Sequence, residues 1–300
     1  MTEQQQAPEA AAPQPAAAPP MPDIPPTPDV PPAVTVLPGP PPGGGSRRRL
    51  RAVLRWTAAV VVFAVAGAGT ANGITGMERT DIPGLATASD GRWDYPQFVR
   101  PPLPSGSPPP LAESNMAGTH YADLRALVLP APTGAREDRT LRGTDGWLQT
   151  KDFLAEYTLK DERKEFGQRL TDHGLRHIAA RGWTTQDGTH TRIYLLQFNS
   201  AALVDNMVTY GEALVSYDSP RYQIRGAETP VDDEDFPLKA QLQDIRYYAY
   251  TEAKPYGAEQ VRQAYLTAGD TLAVIVQSRK GTTASVPFQQ TVMLQSELLA

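Results

Sequence analysis

Gln260-Val-Arg-Gln-Ala-Tyr-Leu-Thr-Ala-Gly-Asp-Thr-Leu-Ala-Val-Ile-Val-Gln277 carries two runs of strand-forming residues on either side of Gly269-Asp270. β-Branched and aromatic side chains favour a pleated surface, and a Gly-Asp pair is turn chemistry. The stretch therefore predicts a hairpin, Gln260 to Thr267 followed by Thr271 to Gln277, with Leu272, Val274 and Val276 on one face of a buried strand. Upstream, Ile245 to Thr251 reads as an aromatic-rich strand. Downstream, Pro287 falls in the first turn of a closing helix whose Phe288, Val292, Gln295 and Leu299 share a face.

The same order occurs earlier. Lys160 to Asp172 is an amphipathic helix with Phe166 and Leu170 one turn apart, stopped by Gly174. Leu175 to Thr184 and His190 to Phe198 flank the turn signal Asp187-Gly188. A helix capped by Asn199 or Ser200 follows, with Leu203, Met207, Tyr210 and Leu214 at three- and four-residue spacing. Hairpin then helix, twice, predicts an α+β domain over 118–300: an antiparallel sheet of about five or six strands with helices packed on it.

Ahead of this domain the chain changes character. Half of its 30 prolines precede Ser46, and Met1 to Ser46 is Pro, Ala and Gln with almost no aromatic residue. Such a segment buries too little apolar surface to offset chain entropy, so 1–46 is expected to be a disordered tail. Its PxxP spacings, Pro22 to Pro25 and Pro25 to Pro28, have no Arg or Lys beside them and suit a solvated spacer. Arg47, Arg48, Arg49, Arg51 and Arg55 then precede an apolar run, Trp56 to Met77, with no charged side chain until Glu78. A bilayer core needs roughly 20 apolar residues of helix, so 47–77 reads as a basic flank and one transmembrane helix. Arginine is costly to translocate, which puts the N-terminus in the cytoplasm and the C-terminal domain outside. Ser46 to Leu50 with Ala66-Gly-Ala68 also fits a cleaved twin-arginine signal, but the long segment ahead of the arginines and the continuation of the run through Ile74 favour an anchor. Residues 78–117, with the proline run Arg100 to Pro110, read as a stalk, and Trp93, Tyr95 and Phe98 are placed to dock on the membrane interface or on the domain.

Charge and composition exclude several classes of function. The net charge of -5 divides into about -4 before Ser46, about +5 over Arg47 to Arg55 and about -6 beyond, so no basic face remains for nucleic acid. The absence of cysteine rules out a lipid-modified cysteine anchor. No Gly-x4-Gly-Lys loop and no Gly-x-Ser-x-Gly elbow occurs.

The stock of neutral-pH acid and base groups is His120, His173, His177 and His190. His173 and His177 have a zinc-compatible spacing, but Gly174 between them breaks the helix that the spacing requires. Asp232 to Asp235 lacks the ligand alternation and central glycine of a calcium loop. No catalytic residue, cofactor or metal is therefore expected. A ligand surface is expected, if anywhere, at Trp183, Tyr247, Tyr248 and Tyr250, whose rings combine an apolar face with a polar tip; core packing accounts for the same residues.

Met77 to Thr87, His120 to Pro130 and Leu175 to Thr185 resemble stretches of single-pass membrane proteins of high-GC actinobacteria. The resemblance implies a cell-envelope location and brings no site with it. In element order the exported part is similar to small mixed sheets of the PsbP or Mog1 type, or to a ferredoxin-like plait. The expected function is a membrane-anchored extracytoplasmic binding or scaffolding module whose partner is another envelope protein or a cell-wall component. The alternatives are an exported hydrolase built on a histidine and an aspartate, and a transmembrane sensor signalling through its tail.

Overall fold

The computed structural model describes residues 89–300 apart from 211, 212 and 217. The expected disordered tail and transmembrane helix lie outside these residues, and no helix among the described residues is long and apolar enough to cross a membrane. Seven strands form one antiparallel sheet: β1 (Arg136–Asp138), β2 (His177–Thr184), β3 (His190–Gln197), β4 (Val231–Asp232), β5 (Arg246–Thr251), β6 (Glu259–Ala268) and β7 (Thr271–Lys280). Their order across the sheet is β1-β2-β3-β7-β6-β5-β4. The α+β expectation holds, and the excess over five or six strands comes from the two edges. At three and two residues, β1 and β4 are too short to show a period of two, and they exist only by pairing with β2 and β5.

Both predicted hairpins form. Gly188 (φ +83°) turns β2 into β3, with the Asp187 carboxylate accepting from the Thr189 amide at 3.1 Å. Gly269 (φ +50°) turns β6 into β7, and a Cβ there would lie 2.2 Å from the Gly118 carbonyl oxygen, so the close approach of two backbones requires glycine. The Asp270 amide donates to that carbonyl at 2.8 Å.

Thr271 to Ser278 of β7 are all buried, as are Thr191 to Gln197 of β3. Both faces of the sheet centre are thus covered. One core gathers Ile178, Tyr194, Leu196, Tyr265, Val274 and Val276 under α2 (Lys160–Asp172) and α3 (Ala201–Thr209), together with Phe153 of the short α1 (Thr150–Leu154). The other gathers Trp183, Ile193, Leu195, Leu266, Ala273 and Ile275 under α4 (Ser285–Leu299). The two helices that follow hairpins therefore sit on opposite faces. A two-fold axis normal to the sheet would keep them on one face, so the repeated hairpin-helix order is not a rotational repeat.

In α4, Phe288, Val292, Gln295 and Leu299 are all fully buried, as their spacing predicts. In α3 the expected stripe is displaced. The helix ends at Thr209, its core face is Val204, Met207 and Val208, Tyr210 is 65 % exposed, and Leu214 is buried from beyond the helix. The Leu203, Met207, Tyr210, Leu214 spacing also reads as helical because Met207 belongs to both sets.

Residues 93–117, assigned by composition to a stalk, lie along the domain. Gln290 of α4 accepts from the Trp93 amide (2.8 Å) and donates to the Trp93 carbonyl (2.9 Å), while the Tyr95 hydroxyl meets Thr291 Oγ1 at 2.8 Å. Tyr95 also packs edge-on to Trp183 (6.3 Å between centroids), and Phe98 and Leu111 join the same core. Of the two places open to these aromatics, the structure has them on the domain. Met207→Ala should lower unfolding free energy by about 2–5 kcal/mol and Tyr210→Ala by less than about 0.5 kcal/mol, measured by urea denaturation. The reverse order would restore the stripe expected from spacing.

Candidate functional site

On the α2/α3 face β3 and β7 are apolar along most of their length and turn polar at one common end of the sheet, where β6 also begins with a charged residue. In β3 the residues before Tyr194 on this face are Arg192 and His190; in β7 Ser278 follows Val276; in β6 Glu259 precedes Val261. Register aligns them: Asp138 opposes Gly182, which opposes Arg192, while His190 opposes Ser278, which opposes Val261. Gly182 keeps this junction open, since a Cβ would come within 2.5 Å of the Leu141 side-chain tip and 3.1 Å of the Thr191 carbonyl and would push the leucine aside. With α1 and the turn after it, these residues enclose a cleft of about 770 Å³ whose charged walls include Asp138, Asp152, Glu156, Arg192, Arg225 and Glu259.

The buried Arg192 and Glu156 organise this cleft. Arg192 donates from Nε to Glu156 Oε2 at 3.0 Å and from Nη1 to His190 Nδ1 (2.9 Å) and Ser278 Oγ (3.3 Å). Arg225 approaches the second Glu156 oxygen at 3.5 Å. A guanidinium only donates, so His190 Nδ1 accepts and its proton sits on Nε2, which faces Asp138 Oδ2 at 3.6 Å. Burial, and then the Arg192 charge, hold the His190 pKa below the usual imidazole value, so the ring is neutral at pH 7. Burial opposes the Asp138 charge, but hydrogen bonds from the Thr140 hydroxyl and amide outweigh it and keep the Asp138 pKa below the usual range.

A second histidine and aspartate meet at the β6–β7 turn. His120 and Asp270 are both buried, with Nδ1 to Oδ1 at 2.7 Å, Nε2 to the Leu299 carbonyl at 2.9 Å, and Gln197 donating to Asp270 Oδ2 at 3.1 Å. Both imidazole nitrogens are engaged, so the group ties the chain entering the domain to a turn and to α4. His173 caps α2, its Nδ1 near the Arg169 carbonyl at 2.9 Å, and His177 stacks on Trp147 at 4.6 Å. The suspected zinc pair is thus divided between two unrelated contacts, and no group of three candidate ligands able to hold a metal ion occurs among the described residues. In the acidic loop, Asp233 pairs with Arg262 at 2.8 Å.

The expected aromatic surface is not one surface. Trp183 and Tyr250 are fully buried in opposite cores, and Tyr247 and Tyr248 are half-buried on opposite faces of β5, as alternation along a strand demands. Packing accounts for Trp183 and Tyr250. The basic flank Arg47 to Arg55 lies outside the described residues. The cleft residues escape sequence reading because they come from four strands, the short α1 with the turn after it, and the segment at Arg225 and Gly226. The available signal was His190-Thr-Arg192 and Ser278, polar side chains on the buried face of otherwise apolar strands, and only register brings them together. No protein-family model matches the chain, and comparison with curated proteins and with solved structures finds no match.

The His190 pKa is lower folded than unfolded, so the unfolded chain binds the extra proton first as pH falls below about 6.5. Stability carried by neutral His190 is complete above that pH and declines below it. His190→Gln should flatten the fall in thermal midpoint below about pH 6.5, and an unchanged slope would remove His190 as its source. Separately, His120→Ala leaves the buried Asp270 without its closest partner and should cost about 3–5 kcal/mol in denaturant unfolding. A cost below about 1 kcal/mol would mean that Asp270 is already satisfied by its remaining donors.

Proposed function

We propose that the protein is a membrane-anchored, extracytoplasmic binding module of the cell envelope, and that the polar cleft at the end of its sheet is its binding site. The observation that carries the binding reading is the occupancy of the histidines. The two histidine-aspartate pairs are engaged in different ways: Arg192 donates to the Nδ1 lone pair of His190, and the two nitrogens of the buried His120 face two acceptors, Asp270 Oδ1 and the Leu299 carbonyl. A general base must accept the proton of a nucleophile or water; Arg192 already holds the His190 lone pair and His120 is buried away from solvent, which supports binding over turnover.

The hydrolase alternative draws on one specific feature, the placement of Ser278 beside His190 and Asp138 in the cleft. Arg192 Nη1 stands between the imidazole and the serine hydroxyl, within 2.9 Å of one and 3.3 Å of the other. That geometry fits a fixed polar wall better than a proton relay.

The location rests on the arginines before the apolar run Trp56 to Met77. The partner is an envelope protein or cell-wall component rather than nucleic acid, in keeping with the net negative charge of the chain beyond Arg55. At the level of fold type, helices on both faces suit the PsbP or Mog1 comparison better than a ferredoxin-like plait, in which helices share one face. Reporter enzymes active only outside the cytoplasm, fused in turn to Met1 and Ala300, test the topology. Activity at Ala300 alone, on a full-length membrane-bound product, is expected. A processed soluble product would replace the anchor by a cleaved export signal, and activity at Met1 would reverse the orientation.

A further inference from the structure

We infer that the domain carries a second ligand site, a hollow lined by Trp93, and that it takes a neutral saccharide. This goes beyond the binding-module reading, which concerns the cleft, and is independent of it. The hollow, of about 290 Å³, lies between Trp93 and Asp94, the turn Pro132 to Ala135, and the β2–β3 turn at Thr185 to Asp187. Its size is about the lower end of the range for small-molecule sites, which suits one ring of a longer chain.

Trp93 carries the inference. Its backbone is fixed by Gln290, and the next carbonyl, that of Asp94, accepts from the Thr133 amide at 2.7 Å. The fold makes no use of its ring. Tyr95 and Phe98 pack into the core under α4, whereas the indole belongs to neither core and stacks on no ring or guanidinium among the described residues. A half-buried indole on a pinned backbone, lining a hollow, is a preorganised apolar plate. Both turns are closed by backbone hydrogen bonds, Ala135 to Pro132 at 3.1 Å and Gly188 to Thr185 at 3.0 Å, so the other walls are equally fixed.

The polar groups around the plate select the ligand. Asp187 is held by its own turn, accepting from the Thr189 amide at 3.1 Å and hydroxyl at 2.9 Å. The Asp94 carboxylate, the Thr133 hydroxyl and the Gln186 amide are exposed and make no hydrogen bond or ion pair among the described residues. Together they offer both donors and acceptors, so the ligand must accept and donate in turn. The hydroxyl edge of a sugar ring does both, while its C–H face covers the indole. An ammonium only donates and would leave the N–H groups unmet. An anion would face Asp94 with no basic side chain in the lining. A peptide would need an open strand edge or side-chain pockets, and two of the three walls are turns.

Calorimetry and saturation-transfer NMR on the purified full chain, in a detergent without a sugar headgroup, test this. Chitotriose, cellotriose and maltotriose are the neutral probes, the chitosan trimer the cationic one and trialanine the peptide. Saturable binding of a neutral trisaccharide is expected, with transfer to its ring C–H protons and an affinity that salt barely changes. Trp93→Ala should weaken it roughly tenfold or more, and Asp94→Asn combined with Gln186→Ala about fivefold or more, each at a nearly unchanged thermal midpoint. Saccharide binding that both variants leave intact would place the sugar elsewhere and overturn the inference. Preference for the chitosan trimer or for trialanine would overturn the saccharide assignment, as would silence with every probe, and each of these leaves the binding-module reading standing on the cleft. Hydrolysis of a bound trisaccharide would instead overturn the binding-module reading while leaving the ligand of the hollow assigned.

Discussion

The burial of β7 on both faces constrains everything around it. A strand with no solvent face needs neighbours on both sides and a cover above and below, because exposed Leu272 or Ile275 would forfeit the apolar burial that holds the sheet together. On one side α2 and α3 supply the cover. On the other α4 alone is too narrow, and the chain from Trp93 to Ala135 completes the layer, with Leu124, Leu127 and Leu129 in the core beside Phe288 and Val292. The long irregular N-terminal stretch is therefore part of the fold. Its backbone, which has no ladder to join, bonds to itself in turns and is tied to α4 by side-chain amides: Gln290 holds Trp93, and Gln295 accepts from the Leu129 amide and donates to the Leu127 carbonyl, both at 2.9 Å.

The same double burial explains where polar chemistry is placed. The centre of the sheet tolerates no charge without a partner, so charged groups collect at its two ends. At one end His120 and Asp270 are sealed in and act as a joint between segments distant in the chain. At the other, Arg192 and Glu156 are buried but open onto solvent through the cleft, with Asp152 and Glu259 on its walls. The two histidine-aspartate pairs look alike in composition and differ in exposure, and exposure decides which of them a ligand can reach.

Much of the domain was legible in the sequence, for a physical reason. The five long strands and the helices α2 and α4 announce themselves because burial imposes a period on their side chains, and Gly188 and Gly269 mark turns that need positive φ. The edge strands β1 and β4 were not legible, since two or three residues hold no period. The face of α3 was misassigned because Met207 belongs equally to the expected stripe and to the real one. Residues 93–117 read as a stalk because prolines predict extended backbone and say nothing of what that backbone lies against. The cleft was least legible of all, as it depends on the register that sets Arg192 beside Gly182 and His190 beside Ser278.

The amide clamps of α4 also bear on the order in which the chain can assemble during synthesis. Gln290 and Gln295 grip segments that leave the ribosome more than a hundred residues before α4 does. Until α4 emerges, Trp183, Ile193 and Ile275 have no helix over them, and residues 93–129 lack these hydrogen-bonding partners. A nascent chain in this condition is a collapsed intermediate with an open apolar face, the kind of species that aggregates or recruits chaperones. The domain therefore reaches its native packing only after translation of its final helix, and a chain truncated before Ser285 would be held back at that intermediate.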